Sequence, residues 1–297
     1  MIIIKLAEGG RIKKLAKLFC VVAFVLFFGA ISANALVTIS VNPNTVLQGE
    51  PILIQISGTK ISEIKKLTFD NKKLNIFLYK NLPSALVGID LNKKIGEYST
   101  FVELKDGTFA TSTIKVTERE KYETFLAVPE KLGGNSVSNQ TKVVSTLAQE
   151  NAILAVIKTF AGALWTKKFI YPVTNPIVTD VYGFSRTSGA AAITHKGADF
   201  KGVTGTKIMS INRGIVRVAK TFQVYGKTVV VDHGFGVMSF YLHLSKINVN
   251  AGELVQAGQV IGLAGATGFT TGPHLHFSVR INNVSIDPIK FLDLFKQ

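Results

Sequence analysis

The chain has 297 residues, of which 47% are hydrophobic and 18% charged, and its formal net charge is +15. That apolar share excludes an intrinsically disordered chain, which would be poor in such residues. One cysteine excludes both a disulfide scaffold and a Cys-based zinc finger, so any chemistry has to be sought among five histidines and their neighbours.

The chain opens with Lys5, Arg11, Lys13, Lys14 and Lys17 against the single acid Glu8. An unbroken apolar run over 18–31 follows and ends at Ala33-Asn34-Ala35. A basic stretch, an apolar stretch and a small-x-small end predict a secretory signal peptide over 1–35. The run is short for a membrane span of roughly 20 residues, so a membrane contact requires the segment to stay uncleaved. Cys20 lies inside it, and the residues before Cys20 do not form a lipidation box. Removing 1–35, with five basic residues and one acidic, leaves +11 of the +15. Such a charge favours adsorption to anionic envelope polymers; the alternative reading is a lysine-rich solvated surface. Nucleic acid is a poor partner for a secreted chain with no basic-aromatic binding motif.

Residues 36–117 read as a small antiparallel β-sandwich. Ile52, Ile54 and Ile56 alternate with Leu53, Gln55 and Ser57, a period of two. Further short strands are predicted near 77–79, 98–103 and 111–116, with turns at Asn42-Pro43-Asn44, Gln48-Gly49-Glu50 and Lys105-Asp106-Gly107. Residues 118–168 read as a linker containing an amphipathic helix over 138–165. Its stripe is Val143, Leu147, Leu154, Ile157, Ala161 and Leu164, with Ser138 or Asn139 as N-cap. Residues 169–297 return to short strands between recurrent glycines, as in 228–231, 237–242 and 260–263, and fit a barrel or sandwich. All five histidines fall here.

His195 and Asp199 stand four apart with Gly197 between them. His274 and His276 flank Leu275, so in a strand both imidazoles share one face. Two imidazoles side by side are costly to bury unless a metal, or a division into ligand and base, resolves them. In Tyr241-Leu242-His243-Leu244 the same alternation places Tyr241 and His243 on one face. Two His and one Asp with an open fourth position make the ligand set of a catalytic zinc site, leaving two histidines for acid–base or oxyanion work.

His195-x-x-x-Asp199, Tyr241-Leu242-His243-Leu244-Ser245 and Thr271-Gly272-Pro273-His274-Leu275-His276-Phe277 resemble the lysostaphin/LytM-type zinc metallopeptidases. The likeness runs through most of 169–292 and includes Gly205-Thr206, Gly214-Ile215-Val216, Val231-Asp232-His233-Gly234, Gly258-Gln259-Val260-Ile261-Gly262, Thr267-Gly268 and Asp287-Pro288. Pro43 and Gly49-Glu50-Pro51 are similar to an Ig-like module found upstream of some envelope members. The resemblance implies a mainly β chain: an Ig-like sandwich over 36–117, a linker helix, and a LytM-type (duplicated hybrid motif) peptidase domain over 169–297. It implies one Zn2+ per chain, held by His195, Asp199 and His276. His274 would be the general base and His243 would stabilise the tetrahedral intermediate, the two roles being exchangeable. The implied activity is hydrolysis of peptide cross-links or stem peptides of bacterial peptidoglycan by a metal-bound water, in the periplasm or cell envelope.

Three positions depart from the family pattern. Ser278 stands where many relatives carry Glu, Asp287 precedes Pro288 where Asn is frequent, and the loop over 185–193 is rich in Ala and Ser. His233 reads as structural, Tyr241 as packing and Arg186 as a surface charge rather than a carboxylate binder. The alternative function is a non-catalytic LytM-type regulator of a cell-wall amidase, whose mark is loss of metal ligands. A biotin- or lipoyl-type carrier lacks its lysine at the hairpin tip. The N-terminal domain and the helix stand immediately before the peptidase domain, a position suited to controlling access to the groove.

Overall fold

The computed structural model describes residues 36–297 except 166, 189, 190 and 297, so the predicted signal segment lies outside the described residues. The chain is mainly β. Among the described residues no helix is long and apolar enough to cross a membrane.

Residues 38–117 form two facing sheets. One holds, in order, Thr38–Asn42, Pro51–Ser57, Leu82–Gly88 and Phe77–Tyr79. The other holds Thr45–Leu47, Phe109–Thr117, Gly96–Leu104, Ile64–Phe69 and Lys72–Lys73. The expected antiparallel rule has one exception, since Thr45–Leu47 runs parallel to Phe109–Thr117. Ile52, Ile54 and Ile56 all enter the core between the sheets with Leu67, Val102, Ile114 and Val116. Leu53, on the other face of the same strand, joins Leu86 and Phe77 in the core of the C-terminal half, against Phe291 and Phe295. Arg119 ties the two halves, its guanidinium lying 3.2 Å from Asp287 and 3.7 Å from Glu50. Asp287 also caps the C-terminal helix Pro288–Leu294, accepting from the amides of Ile289 and Lys290, as a carboxylate before a first-turn proline should.

The C-terminal half is built on an antiparallel sheet. Its order is Val178–Asp180, Ala198–Lys201, His274–Ile281, Val237–Leu244, Lys227–Gly234, Gly214–Thr221 and Leu254–Val255, with Val284–Ile286 beside His274–Ile281. Val229, Val231, Tyr241, Phe277 and Val279 bury one face in the main core.

Between the halves lies α1, Val137–Ala155. It begins one turn-position earlier than expected, with Ser136 accepting from the Asn139 amide. It also ends ten residues before Trp165. The cause is Asp232, a fully buried carboxylate that accepts from Thr159 Oγ1 and from the Phe160 backbone amide, each at 2.7 Å, and from Arg217. Those bonds require non-helical chain at 159–160, so the apolar spacing beyond Ile157 is not helical. The segment before α1 adds Glu123–Phe125, a strand parallel to Ser185–Ser188.

Glu150 anchors α1. Its buried carboxylate accepts from the amides of Gln223, Val224 and Tyr225 at 2.7, 2.9 and 3.0 Å. Glu150→Ala would leave three inward donors unpaired. A loss of about 3 kcal/mol is expected, on the scale for hydrogen bonds to a charged group, read as a lower denaturation midpoint in urea. A change below about 0.5 kcal/mol would contradict this, being what an ordinary surface substitution gives.

Candidate metal centre

The strand His274–Ile281 supplies the floor. Alternation sends Leu275 and Phe277 into the main core and leaves His274, His276, Ser278 and Arg280 on the opposite side, in a groove. Asp199 is the direct cross-strand partner of His276, so register alone sets a carboxylate beside an imidazole. His195 arrives from the turn before Ala198–Lys201. Gly197 is what lets that turn pass so close. A Cβ there would lie 2.5 Å from His276 Nε2 and 2.6 Å from Ser278 Oγ.

His195 Nε2, Asp199 Oδ1 and His276 Nδ1 lie 2.8–3.0 Å from one another. Their protons are fixed elsewhere. His195 Nδ1 is 2.7 Å from the Val181 carbonyl, which can only accept, so Nδ1 carries the hydrogen. Ser278 donates its hydroxyl to the Lys196 carbonyl at 2.6 Å. It therefore accepts from His276 Nε2–H at 3.0 Å. Both imidazoles thus present bare lone pairs to the carboxylate oxygen. Three acceptors facing one point need a cation, and four tetrahedral ligands of Zn2+ sit about 3.3 Å apart. The donor set fits zinc, with carbonyl and hydroxyl partners orienting each ring.

Burial favours the neutral carboxyl at Asp199, but contacts with His195 and His276 outweigh it and hold the group well below the usual carboxylate range. Burial also pushes His276 down, and His243 down to about 3, so both stay neutral. His274 Nδ1 donates to the Gly272 carbonyl at 2.9 Å, and its Nε2 lies 3.7 Å from Asp199 Oδ2. His243 Nδ1 donates to the Thr267 carbonyl at 2.9 Å, which leaves Nε2 bare. The rings of His243 and His274 have centroids 5.1 Å apart.

Simple alternation misplaces His243. Phe240 and Leu242 line the groove, whereas Tyr241 points into the main core, so regular pleating would bury His243 beside Tyr241. The backbone of His243 instead has φ +60°. The register with Lys227–Gly234 shifts there, Val229 opposing Tyr241 and Lys227 opposing Leu244. This extra residue is a bulge that turns the imidazole to the groove side. A left-handed non-glycine residue has no signature in the local sequence. The carbonyls of Val181 and Thr267 were equally invisible there, because any residue supplies one.

His233 belongs to a separate network. Fully buried, it donates from Nδ1 to the Arg213 carbonyl, and its Nε2 lies 2.8 Å from Ser239 Oγ, which reaches the Tyr241 hydroxyl. Burial pushes His233 down to about 4. Arg186 is not a free surface charge. It lies 3.3 Å from Asp180 and 4.0 Å from Asp199 Oδ2.

Two recesses flank the centre. One, of about 340 Å³, lies under Phe125, Ala127 and Pro129 and reaches Asp199 and His274. The other, of about 290 Å³, runs from His195, His243 and His276 to Arg280 beneath Val144, Leu147, Asn151 and Leu154 of α1. Leu126, Val128 and Val143 pack with Ile193 on one groove wall and Val224 and Phe269 on the other. The stretch from 125 to α1 therefore crosses above the groove.

Residues 193–288 match the model of peptidase family M23. Over 98 residues the chain is 43% identical to the peptidoglycan DD-endopeptidase ShyB of Vibrio cholerae serotype O1, covering 33% of this chain and 23% of that one. It is 41% identical over 104 residues to the glycyl-glycine endopeptidase ALE-1 of Staphylococcus capitis, covering 33% and 29%. A solved structure of a Pseudomonas aeruginosa protein described as a peptidase M23 superposes with a TM-score of 0.60 at 27% identity, over 83% of this chain and 94% of that one. The chain carries a peptidase family M23 domain, homologous to these endopeptidases. It spans about a quarter of the length of the curated relatives it matches.

Proposed function

We propose that this protein is an exported zinc metalloendopeptidase that hydrolyses peptide cross-links or stem peptides of bacterial peptidoglycan. The observation that carries the proposal is the convergence of His195, Asp199 and His276 on one point, with His243 and His274 paired beside them, in a groove with recesses on both sides. His195, Asp199 and His276 would hold the ion. Bound there, Zn2+ would polarise the scissile carbonyl and lower the pKa of a water.

The remaining chemistry falls to His274 and His243. Each has its Nδ1 hydrogen committed to a carbonyl, so in the neutral ring Nε2 is the acceptor. His274 Nε2, beside Asp199 Oδ2, takes the proton of the attacking water and returns it to the leaving amine. His243 can donate to a developing oxyanion only after it has itself gained a proton, so its resting state is that of a second base. The names of the relatives, peptidoglycan DD-endopeptidase and glycyl-glycine endopeptidase, support a cell-wall substrate, and the basic chain suits an anionic envelope.

Defined cross-linked muropeptides test the reading. Incubation with the zinc-loaded protein should give products whose masses correspond to addition of one water at one peptide bond. Absence of cleavage, combined with activation of a cell-wall amidase by the same preparation, would favour the regulator instead.

A further inference from the structure

Arg280 stands four residues beyond His276 on the same strand face, about 13 Å along the groove at roughly 3.3 Å per residue. Its guanidinium lies over the Phe240 ring at 4.6 Å. Arg119, Arg186 and Arg217 each face a carboxylate, but Arg280 meets only amide oxygens among the described residues. Nη2 donates to Asn151 Oδ1 at 2.8 Å and Nη1 to Asn283 Oδ1 at 3.3 Å. The Tyr225 hydroxyl donates to the same Asn151 Oδ1 at 2.9 Å. Two donors, from the floor and from the 222–225 wall, thus meet on one oxygen that α1 delivers. Burial pushes Tyr225 up to about 12, so its hydroxyl remains a donor. Asn151, Tyr225 and Arg280 all line the recess that ends at His276.

A guanidinium and a phenol aimed at one oxygen hold a carboxylate more strongly than an amide. We infer that Arg280 and Tyr225 form a subsite for a carboxylate of the substrate peptide, and that Asn151 of α1 occupies it as an internal stand-in. The inference rests on the reading of the groove as a peptide-binding cleft. An extended peptide advances about 3.3–3.6 Å per residue, so the carboxylate lies about four residues from the scissile bond. A stem-type peptide with a free terminal or side-chain carboxylate has that chemistry. Leu154 of α1 packs with Phe240 and Leu242 of the floor. Docking of α1 and binding of the carboxylate therefore compete for the same two donors.

Calorimetric titration of the zinc-loaded full chain with a stem tetrapeptide, and with the same peptide amidated at its carboxylates, tests the subsite without turnover. The carboxylate form should bind at least about tenfold tighter, the scale of one hydrogen bond to a charged group. Arg280→Gln should abolish that preference. Asn151→Ala should tighten binding of the carboxylate peptide, whereas Asn151→Asp, which supplies a competing carboxylate, should weaken it about tenfold. Equal binding of both peptides to the unaltered chain overturns the subsite. So does a preference that survives in Arg280→Gln, which would send the carboxylate to the metal, or a shift of the two Asn151 variants in the same direction. Should Arg280→Gln fail to fold, the peptide pair and the Asn151 pair still decide. Failure to cleave peptidoglycan would count against the endopeptidase reading alone, because binding is measured separately.

Discussion

Asp199→Ala is expected to empty the metal centre and to lower peptidoglycan hydrolysis by at least about 10³-fold, with loss of Lewis-acid chemistry as the cause. Asp199 is the one anion in the triad, and its Oδ1 touches both His195 Nε2 and His276 Nδ1. Without it a dication would face two neutral imidazoles in a buried position, where charge compensation matters most. Asp199→Asn separates charge from shape. It keeps the side-chain volume on the strand and removes the negative charge, so it should bind substantially less zinc while the fold, read by circular dichroism, is retained. Metal analysis of the purified variants and their rates on purified peptidoglycan measure both effects. Normal zinc content in Asp199→Ala would remove this residue from the ligand set.

The second large effect is of the opposite kind. His274→Ala should keep close to one zinc per chain and lose about 10²–10⁴ in turnover, the range of positioned acid–base catalysis. The reasoning is geometric. His274 Nε2 approaches the outer oxygen of Asp199, not the point shared by the three proposed ligand atoms. Its Nδ1 is held by the Gly272 carbonyl, which is not among the hydrogen-bond partners of His195 or His276. A fall in zinc content parallel to the fall in rate would make His274 a ligand. His243→Ala gives the companion measurement. If both histidines accept protons, each single variant retains a residual rate above that of Asp199→Ala.

Parts of this arrangement are legible in the amino-acid sequence. Alternation alone puts His274 and His276 on one face, and Leu275 and Phe277 do enter the core. Strands at Phe77–Tyr79 and Val260–Leu263 stand where apolar runs between turn residues predict them. Both signals are local. The failures are all non-local. α1 stops at Ala155 because Asp232, more than seventy residues further on, captures the Phe160 amide. His243 leaves its expected face because an extra residue is accommodated against the neighbouring strand. Arg186, read as a surface charge, is drawn to Asp180 by the hairpin it occupies. Roofing of the groove by α1 depends on Glu150 finding three amides of a distant loop, which no periodicity encodes.

Zinc titration of the chelator-stripped full chain tests the central claim most directly, with bound metal and hydrolysis of purified peptidoglycan followed in the same samples. Hydrolysis should be absent in the stripped protein and rise linearly to a plateau at one equivalent of zinc per chain. Undiminished hydrolysis in the stripped protein, or one tightly bound zinc with no hydrolysis of any peptidoglycan peptide, would contradict it.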